Sequence, residues 1–547
     1  MAGKNNRIQI VLLIAFALLA ACAPVPATGP ISFSITQTPT SPSAPATMTQ
    51  SAPTMAPATA TPLQTIWTDV TGNTIGETEG WTNKVELADI NGDGLVDILF
   101  ANGGEYDAPG TPEFSQIFLN QGPGQRFHDA SQQILGTTPA LTRVIKVRDV
   151  NNDGQPDILM GTTYQTQSQL YLGDGAGNFT NVTATHLPQI DASIGDLEFG
   201  DADGDSDLDV VLADWGAGNP MSNQGGRTML WLNDGTGHFS NATATQMPDI
   251  LVRFSWELEF VDIDNDYDLD ILVSCKQCEG GYLFENDGSG RFIDVTEGRL
   301  PQFGNNYDYE AMAVNSDEYL DLVTINDGSL LREHLLINNQ HGAFEDMTDQ
   351  LWVGYDNLGN CDDNIHVFLD FDSDGDADLL IGSLDCADRL LVNDGSGNLR
   401  IFQNGEMLSL TSGTLGIASA DLNGDHKLDV VMAQGENAFP EKVYFGKGIA
   451  ADTAPPVITL VESIDSPAAN EPLQVHARIH DNKSPTMPHD WQSVVARWTV
   501  DGQTQEIPMQ WYGEYLWRGT INESIEGEFS YEVCATDAAG NETCSAP

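Results

Sequence analysis

A nine-residue pattern recurs six times in this chain: DINGDGLVD from Asp89, DVNNDGQPD from Asp149, DADGDSDLD from Asp201, DIDNDYDLD from Asp262, DFDSDGDAD from Asp370 and DLNGDHKLD from Asp421. Side-chain oxygens fall at positions 1, 3, 5 and 9, and the backbone carbonyl of position 7 is available. Such spacing suits a hard cation such as calcium, which takes about six to eight oxygen ligands. Without a cation, each close carboxylate pair costs about 3–4 kcal/mol at an effective dielectric of ~20. One such stretch alone reads equally well as an Asp-rich turn without metal. Six in register point to metal.

An EF-hand requires a bidentate Glu at position 12 and a helix on each side. Position 12 here is Phe100, Met160, Leu212, Val273, Ile381 and Met432. Apolar runs such as DILF, DVVL and DLLI follow each loop, as in buried strands, so each loop is expected to join two strands. The candidate ligands are Asp89, Asn91, Asp93, Leu95 and Asp97; Asp149, Asn151, Asp153, Gln155 and Asp157; Asp201, Asp203, Asp205, Asp207 and Asp209; Asp262, Asp264, Asp266, Asp268 and Asp270; Asp370, Asp372, Asp374, Asp376 and Asp378; and Asp421, Asn423, Asp425, Lys427 and Asp429, with Leu95, Gln155 and Lys427 serving through their carbonyls. The expected cofactor is Ca2+, about six ions, structural in role.

The first aspartates are spaced by 60, 52, 61, 108 and 51 residues. AVNSDEYLD from Ala313 divides the long step into 51 and 57, making a seventh copy with Ala313 in place of the first aspartate. That copy is expected to have lost its ion or to bind it weakly. A second motif trails four of the loops: YLGDGAGNFTNVT from Tyr171, WLNDGTGHFSNAT from Trp231, LFENDGSGRFIDVT from Leu283 and LLINNQHGAFEDMT from Leu335. Asp-Gly and Gly-x-Gly turns between alternating apolar residues mark hairpins. Four strands per unit, seven times over, is the signature of a β-propeller. The last unit runs out after Lys442–Gly446, while Thr65–Thr71 precedes the first unit and matches FxDVT. The N-terminal strand is therefore expected to complete the last unit.

These motifs resemble the FG-GAP or VCBS repeats of bacterial surface proteins and of the integrin α-subunit propeller. The resemblance covers Thr65 to Gly448 and implies structural calcium at the matching carboxylates. Departures are Ala313, and Ser206, Tyr267 and His426 where the family has glycine. The expected class is all-β: a seven-bladed β-propeller with calcium-binding hairpin loops, followed by a small Ig-like β-sandwich.

Lys4 and Arg7 precede a mostly apolar run from Ile8 to Leu19, too short to span a bilayer, so the segment reads as an export signal. Leu19-Ala20-Ala21-Cys22 resembles the bacterial lipobox, which implies lipidation of Cys22 and an exported protein anchored to the bacterial membrane or cell surface. The expected organisation is residues 1–22 signal peptide, 23–64 a Pro/Thr/Ser/Ala-rich disordered linker, 65–450 propeller, and 455–547 an Ig-like or fibronectin-like β-sandwich. Export makes disulfides the default. Cys361 and Cys386 are expected to face each other across a loop hairpin, Cys534 and Cys544 to flank a turn, and Cys275 and Cys278 to form a local structural bridge.

A net charge of −58 argues against nucleic acid as a partner, because phosphate binding needs a basic face. Strand alternation sends the long loops to the face opposite the aspartate loops. Trp81, Tyr106, Trp215, Arg253, Trp256, Tyr309 and Trp352 are the candidate ligand face, able to stack on sugars or meet a protein. No HExxH or GxSxG motif occurs, and the ten histidines are scattered. The absence of these motifs does not exclude a lyase, and it is the analogy with the repeat family's fold that favours binding of an extracellular protein or glycan over catalysis. A calcium-dependent polysaccharide lyase or hydrolase, and a scaffold for an envelope complex, are the alternatives.

Overall fold

The computed structural model describes residues 66–547 except 79, 328–330, 353–356, 358–360, 403–412, 436–438, 464–471, 523–528 and 546–547. The expected signal peptide, Cys22 and the linker lie outside the described residues. The fold is all-β and β-propeller-like. Seven four-stranded antiparallel sheets follow one another along the chain, and the first six are each built in sequence order from first to fourth strand. The first sheet comprises Thr82–Ala88, Asp97–Asn102, Gln116–Leu119 and His128–Asp129. In every sheet the aspartate loop joins the first strand to the second, as in Ala88↔Asp97 and Gly200↔Asp209.

Each sheet is open, and the sheets are joined through their first strands. Thr82–Ala88 contacts Thr142–Arg148, and the contacts continue through Ile194–Gly200, Leu258–Val261, Asn306–Met312, Asp363–Leu369 and Thr414–Ala420 back to Thr82–Ala88. The seventh sheet takes its outermost strand from the other end of the chain: Thr68 pairs with Phe445 and Asp69 with Tyr444.

The outer strands explain the FxDVT motif. The hydroxyls of Thr183, Thr243, Thr296 and Thr348 accept from the third-strand N–H groups of Leu170, Leu230, Leu283 and Leu335 at 2.9–3.0 Å. Two residues earlier, Asn181, Asn241, Asp294 and Asp346 accept the N–H of that threonine. Thr71 and Asp69 do the same for Val443 in the seventh sheet, so the N-terminal segment fills the role of a fourth strand.

The asparagine ending many third strands joins neighbouring sheets. Asn120, Asn233, Asn286, Asn338 and Asn393 donate to the carbonyl of the second loop residue in the preceding sheet, respectively Leu422, Val150, Ala202, Ile263 and Val314, at 2.7–2.9 Å. The bond from Asn120 links the first sheet to the seventh. Gly173 stands at this position in the second sheet, where an added Cβ would lie 2.2 Å from the Pro156 carbonyl. Asn286→Ala removes donors from two buried carbonyls, Ala202 and Leu269. Denaturant unfolding in saturating calcium is expected to show a loss of about 1–3 kcal/mol.

From Val457 onward, two further four-stranded sheets enclose a separate apolar cluster that includes Val475, Ala477, Ile479, Ala496, Trp498 and Val533. This C-terminal module is packed against the aspartate-loop side of the seven sheets. Tyr515 buries its ring in the same cluster as Ala311 and Met312. Its hydroxyl donates to the Ala311 carbonyl at 2.9 Å. The Tyr512 carbonyl accepts from Asp201 N at 2.7 Å, and the Tyr512 hydroxyl donates to the Tyr267 carbonyl at 3.0 Å. Among the described residues, no helix is long and apolar enough to cross a membrane.

Candidate metal centres

The aspartate loops share one hydrogen-bond plan. The first aspartate draws the chain round it: Asp89 Oδ1 accepts from Gly92 and Asp93, and Oδ2 from Gly94 at 2.7 Å. The sixth residue donates in the same way in the other five loops, through Gly154, Ser206, Tyr267, Gly375 and His426. This turn places the sixth residue at positive φ, with Ser206 at 82°, Tyr267 at 70° and His426 at 58°. These three non-glycine residues therefore carry the backbone strain that their departure from glycine implies.

The ninth residue ties each loop to its sheet. Asp209 accepts from Ala202 N at 3.0 Å and from Asn233 N, at the end of the third strand, at 2.8 Å. The third-strand contact recurs at Asp97, Asp157, Asp270, Asp378 and Asp429, and also at Asp321 in the loop that begins with Ala313. Burial pushes Asp209 up to about 8 and Asp378 up to about 9 against these hydrogen bonds, and the neighbouring loop carboxylates push the same way. Asp97, Asp157 and Asp429 are each pushed up to about 7, again chiefly by burial.

A hard cation fits this donor set. Carboxylate oxygens of Asp201, Asp203 and Asp209 lie within 4.8 Å of one another, as do those of Asp262, Asp264 and Asp266 and those of Asp370, Asp372 and Asp374. Asp203 Oδ1 and Asp264 Oδ1 are buried without a hydrogen-bond partner. A bound cation would supply that partner and relieve the repulsion, holding the loop closed.

The first strands line a central channel with charge. Glu86, Lys146, Glu198, Glu259 and Glu310 each stand three residues before the start of a loop, in five successive sheets, and all line one cavity of about 100 Å3. Lys84 pairs with Glu257 and Lys146 with Glu198. Arg148 lies 3.2 Å from Glu86, and His366 lies 2.9 Å from Asp308. Glu514, on the hairpin tip of the C-terminal module, also lines this cavity. Burial raises Glu259 and Glu514 well above the ordinary carboxylate range, with Glu514 and Glu310 adding repulsion to Glu259. Sequence reasoning missed this lining, although a charge at the same place, three residues before the loop, in five successive units was its signal.

At the other end of the channel the candidate ligand-face residues separate into two groups. Trp215, Trp256, Tyr309 and Trp352 are 0%, 0%, 4% and 4% exposed and serve as packing. Their indole and phenol surfaces are spent on neighbours, which corrects their placement on the candidate ligand face. The Arg143 guanidinium lies 4.1 Å from the Trp256 ring centroid, and Lys276 Nζ lies 3.9 Å from that centroid and 3.8 Å from that of Tyr307. Trp81, Tyr106 and Arg253 are half-buried and reach solvent. Tyr355, a further aromatic of the long loops, lies outside the described residues.

Disulfides join Cys275 to Cys278, Cys361 to Cys386 and Cys534 to Cys544. The first holds the turn that carries Lys276 into the aromatic cluster.

Four stretches, residues 89–160, 149–212, 217–273 and 370–432, match the FG-GAP-like repeat. No curated protein matches the chain. Similar solved structures include an Agrocybe aegerita lectin described as recognising non-reducing terminal N-acetylglucosamine, at 15% identity over 60% of this chain and 81% of that one, with a TM-score of 0.39. Another is the V. cholerae biofilm matrix protein Bap1, at 13% identity over 89% and 62%, TM-score 0.33. A third is Saccharomyces cerevisiae Sqt1, at 9% identity over 77% and 96%, TM-score 0.41.

Proposed function

We propose, for a chain that carries FG-GAP-like repeats, that the seven sheets are the blades of a calcium-stabilised propeller and the C-terminal module an Ig-like sandwich. The protein is exported and held on the membrane through a lipid on Cys22, and it binds a protein or glycan on the face opposite the aspartate loops. The observation that carries this reading is the seat of the C-terminal module. It covers the loop side through Tyr512, Tyr515 and neighbouring residues. Half-buried Trp81, Tyr106 and Arg253 stand on the other side. Aromatic and arginine groups at the edge of a buried cluster are the usual anchors of a binding surface. The loops themselves brace hairpins and are not the ligand site.

The test is a screen of the calcium-loaded protein against immobilised glycans and envelope proteins, with Trp81→Ala and Arg253→Glu beside it. Each substitution is expected to weaken binding by about 2 kcal/mol, or ~30-fold. Cys22→Ser is expected to move the protein out of the membrane fraction. Binding that ignores both face substitutions, or cleavage of a polysaccharide in the same screen, would overturn the reading.

A further inference from the structure

Two of the aspartate loops are reached by arginines of the C-terminal module. Arg478 Nη2 lies 2.8 Å from Asp262 Oδ2, and both side chains are fully buried. The same guanidinium donates to the Asp262 carbonyl at 2.9 Å, to Asn265 Oδ1 at 2.7 Å and to the Glu318 carbonyl at 2.8 Å. Arg518 Nη2 lies 2.8 Å from Asp201 Oδ2, at 8% and 0% side-chain exposure. Asp262 and Asp201 are the first residues of their loops, so each arginine meets a loop at the carboxylate round which it turns.

We propose that Arg478 and Arg518 are positioning residues for cations in these two loops, and that cation binding there and seating of the C-terminal module reinforce each other. The proposal rests on the reading of the loops as calcium sites. The alternative role, an arginine standing in place of the cation, fits the geometry less well. Each guanidinium takes the oxygen that already accepts the sixth-residue N–H, from Tyr267 at 3.3 Å and Ser206 at 2.9 Å. That is the oxygen turned towards the backbone in the four loops that no arginine touches among the described residues, where Gly94, Gly154, Gly375 and His426 donate to it. The buried Asp203 Oδ1 and Asp264 Oδ1 keep no hydrogen-bond partner with the arginines in place. They are the atoms a cation would satisfy.

Charge favours co-occupancy. The Asp201 and Asp262 loops hold five aspartates each, against three in the loops from Asp89, Asp149 and Asp421. A divalent ion leaves such a loop at a formal charge of about −3, and an added guanidinium still leaves it at about −2. The arginine therefore meets net attraction in the loaded loop, and its Nη2 holds one oxygen of the first carboxylate, while the other arm of Arg478 is anchored on Asn265 and Glu318. Groups that hold a metal ligand in this way typically contribute ~10- to 100-fold in metal affinity. Reciprocity requires the same factor in the seating of the module.

The experiment uses the full chain and calcium alone as the probe. Calorimetric titration is expected to show two sites weakened ~10- to 100-fold when Arg478→Met and Arg518→Met are combined, with the other sites unchanged. Arg478→Lys keeps the charge without the fork and is expected to restore only part of the affinity. Independently of any substitution, limited proteolysis of the wild-type protein between residues 449 and 456 is expected to be faster in EDTA than in calcium, because an unseated module exposes that connection. Unchanged or tighter calcium binding in the arginine variants overturns the proposal, as does cleavage that is indifferent to calcium. A wild-type chain that takes up no calcium overturns the calcium reading itself, and does so before any variant is compared.

Discussion

Moving the protein from excess calcium into EDTA is expected to lower its melting temperature by at least about 10 °C, since each site filled at 100 times its dissociation constant contributes about 2.7 kcal/mol. The effect is large because the loops are built round their charge. Asp209 and Asp378 sit buried, with other loop carboxylates beside them that push the same way as burial. Burial places them at about 8 and about 9, so near neutral pH the cation-free loop must either hold a proton or tolerate the repulsion. Bound calcium would remove that conflict in the folded state only, and binding confined to the folded state is stabilising. Magnesium is expected to restore less, because it demands a compact octahedron and gives up its waters reluctantly. A differential scanning trace with the same midpoint in calcium and in EDTA would remove calcium from this account.

Replacing Trp67 by Ala is expected to cost about 3–5 kcal/mol, the range for a fully buried aromatic side chain. Trp67 precedes the strand Thr68–Asp69 and is 2% exposed. It packs in one cluster with Val430, Met432 and Tyr444 of the seventh sheet, and its indole N–H donates to the Leu428 carbonyl at 2.9 Å. The substitution therefore opens a cavity, orphans a carbonyl and loosens the strand that completes the last sheet. Trp67→Phe keeps most of the ring and loses the donor, so a smaller loss of about 1–2 kcal/mol is expected. Chemical denaturation in saturating calcium measures both. A Trp67→Ala protein less than about 1 kcal/mol below wild type would mean that the N-terminal strand does not hold the seventh sheet.

The loops, their place between first and second strands, and the seventh copy at Ala313 were legible because each is a local pattern repeated at near-constant spacing. The same holds for the FxDVT threonine and for the strand at Thr68, which matches a motif seen elsewhere in the chain. The asparagine at the end of the third strand was visible as a letter, but its partner lies across a sheet boundary, 83 residues away for Asn233 and Val150, and spacing does not reveal it. Glu86, Lys146, Glu198, Glu259 and Glu310 were also visible. Their shared channel follows only once the first strands meet.

The candidate ligand face was the least legible part. An aromatic residue in a long loop is equally suited to cover a neighbour or to await a ligand, and only packing separates Trp215 and Trp256, both fully buried, from Trp81 and Arg253. Sequence alone determined the repeat, the fold class and the candidate metal ligands, because these depend on chemistry within about nine residues and on periodicity. Tertiary structure decided which face stays open, and that two of the loops share their first carboxylate with Arg478 and Arg518. Those contacts join residues 216 and 317 positions apart. They depend on how two separately patterned modules fit together, and no local spacing records that fit.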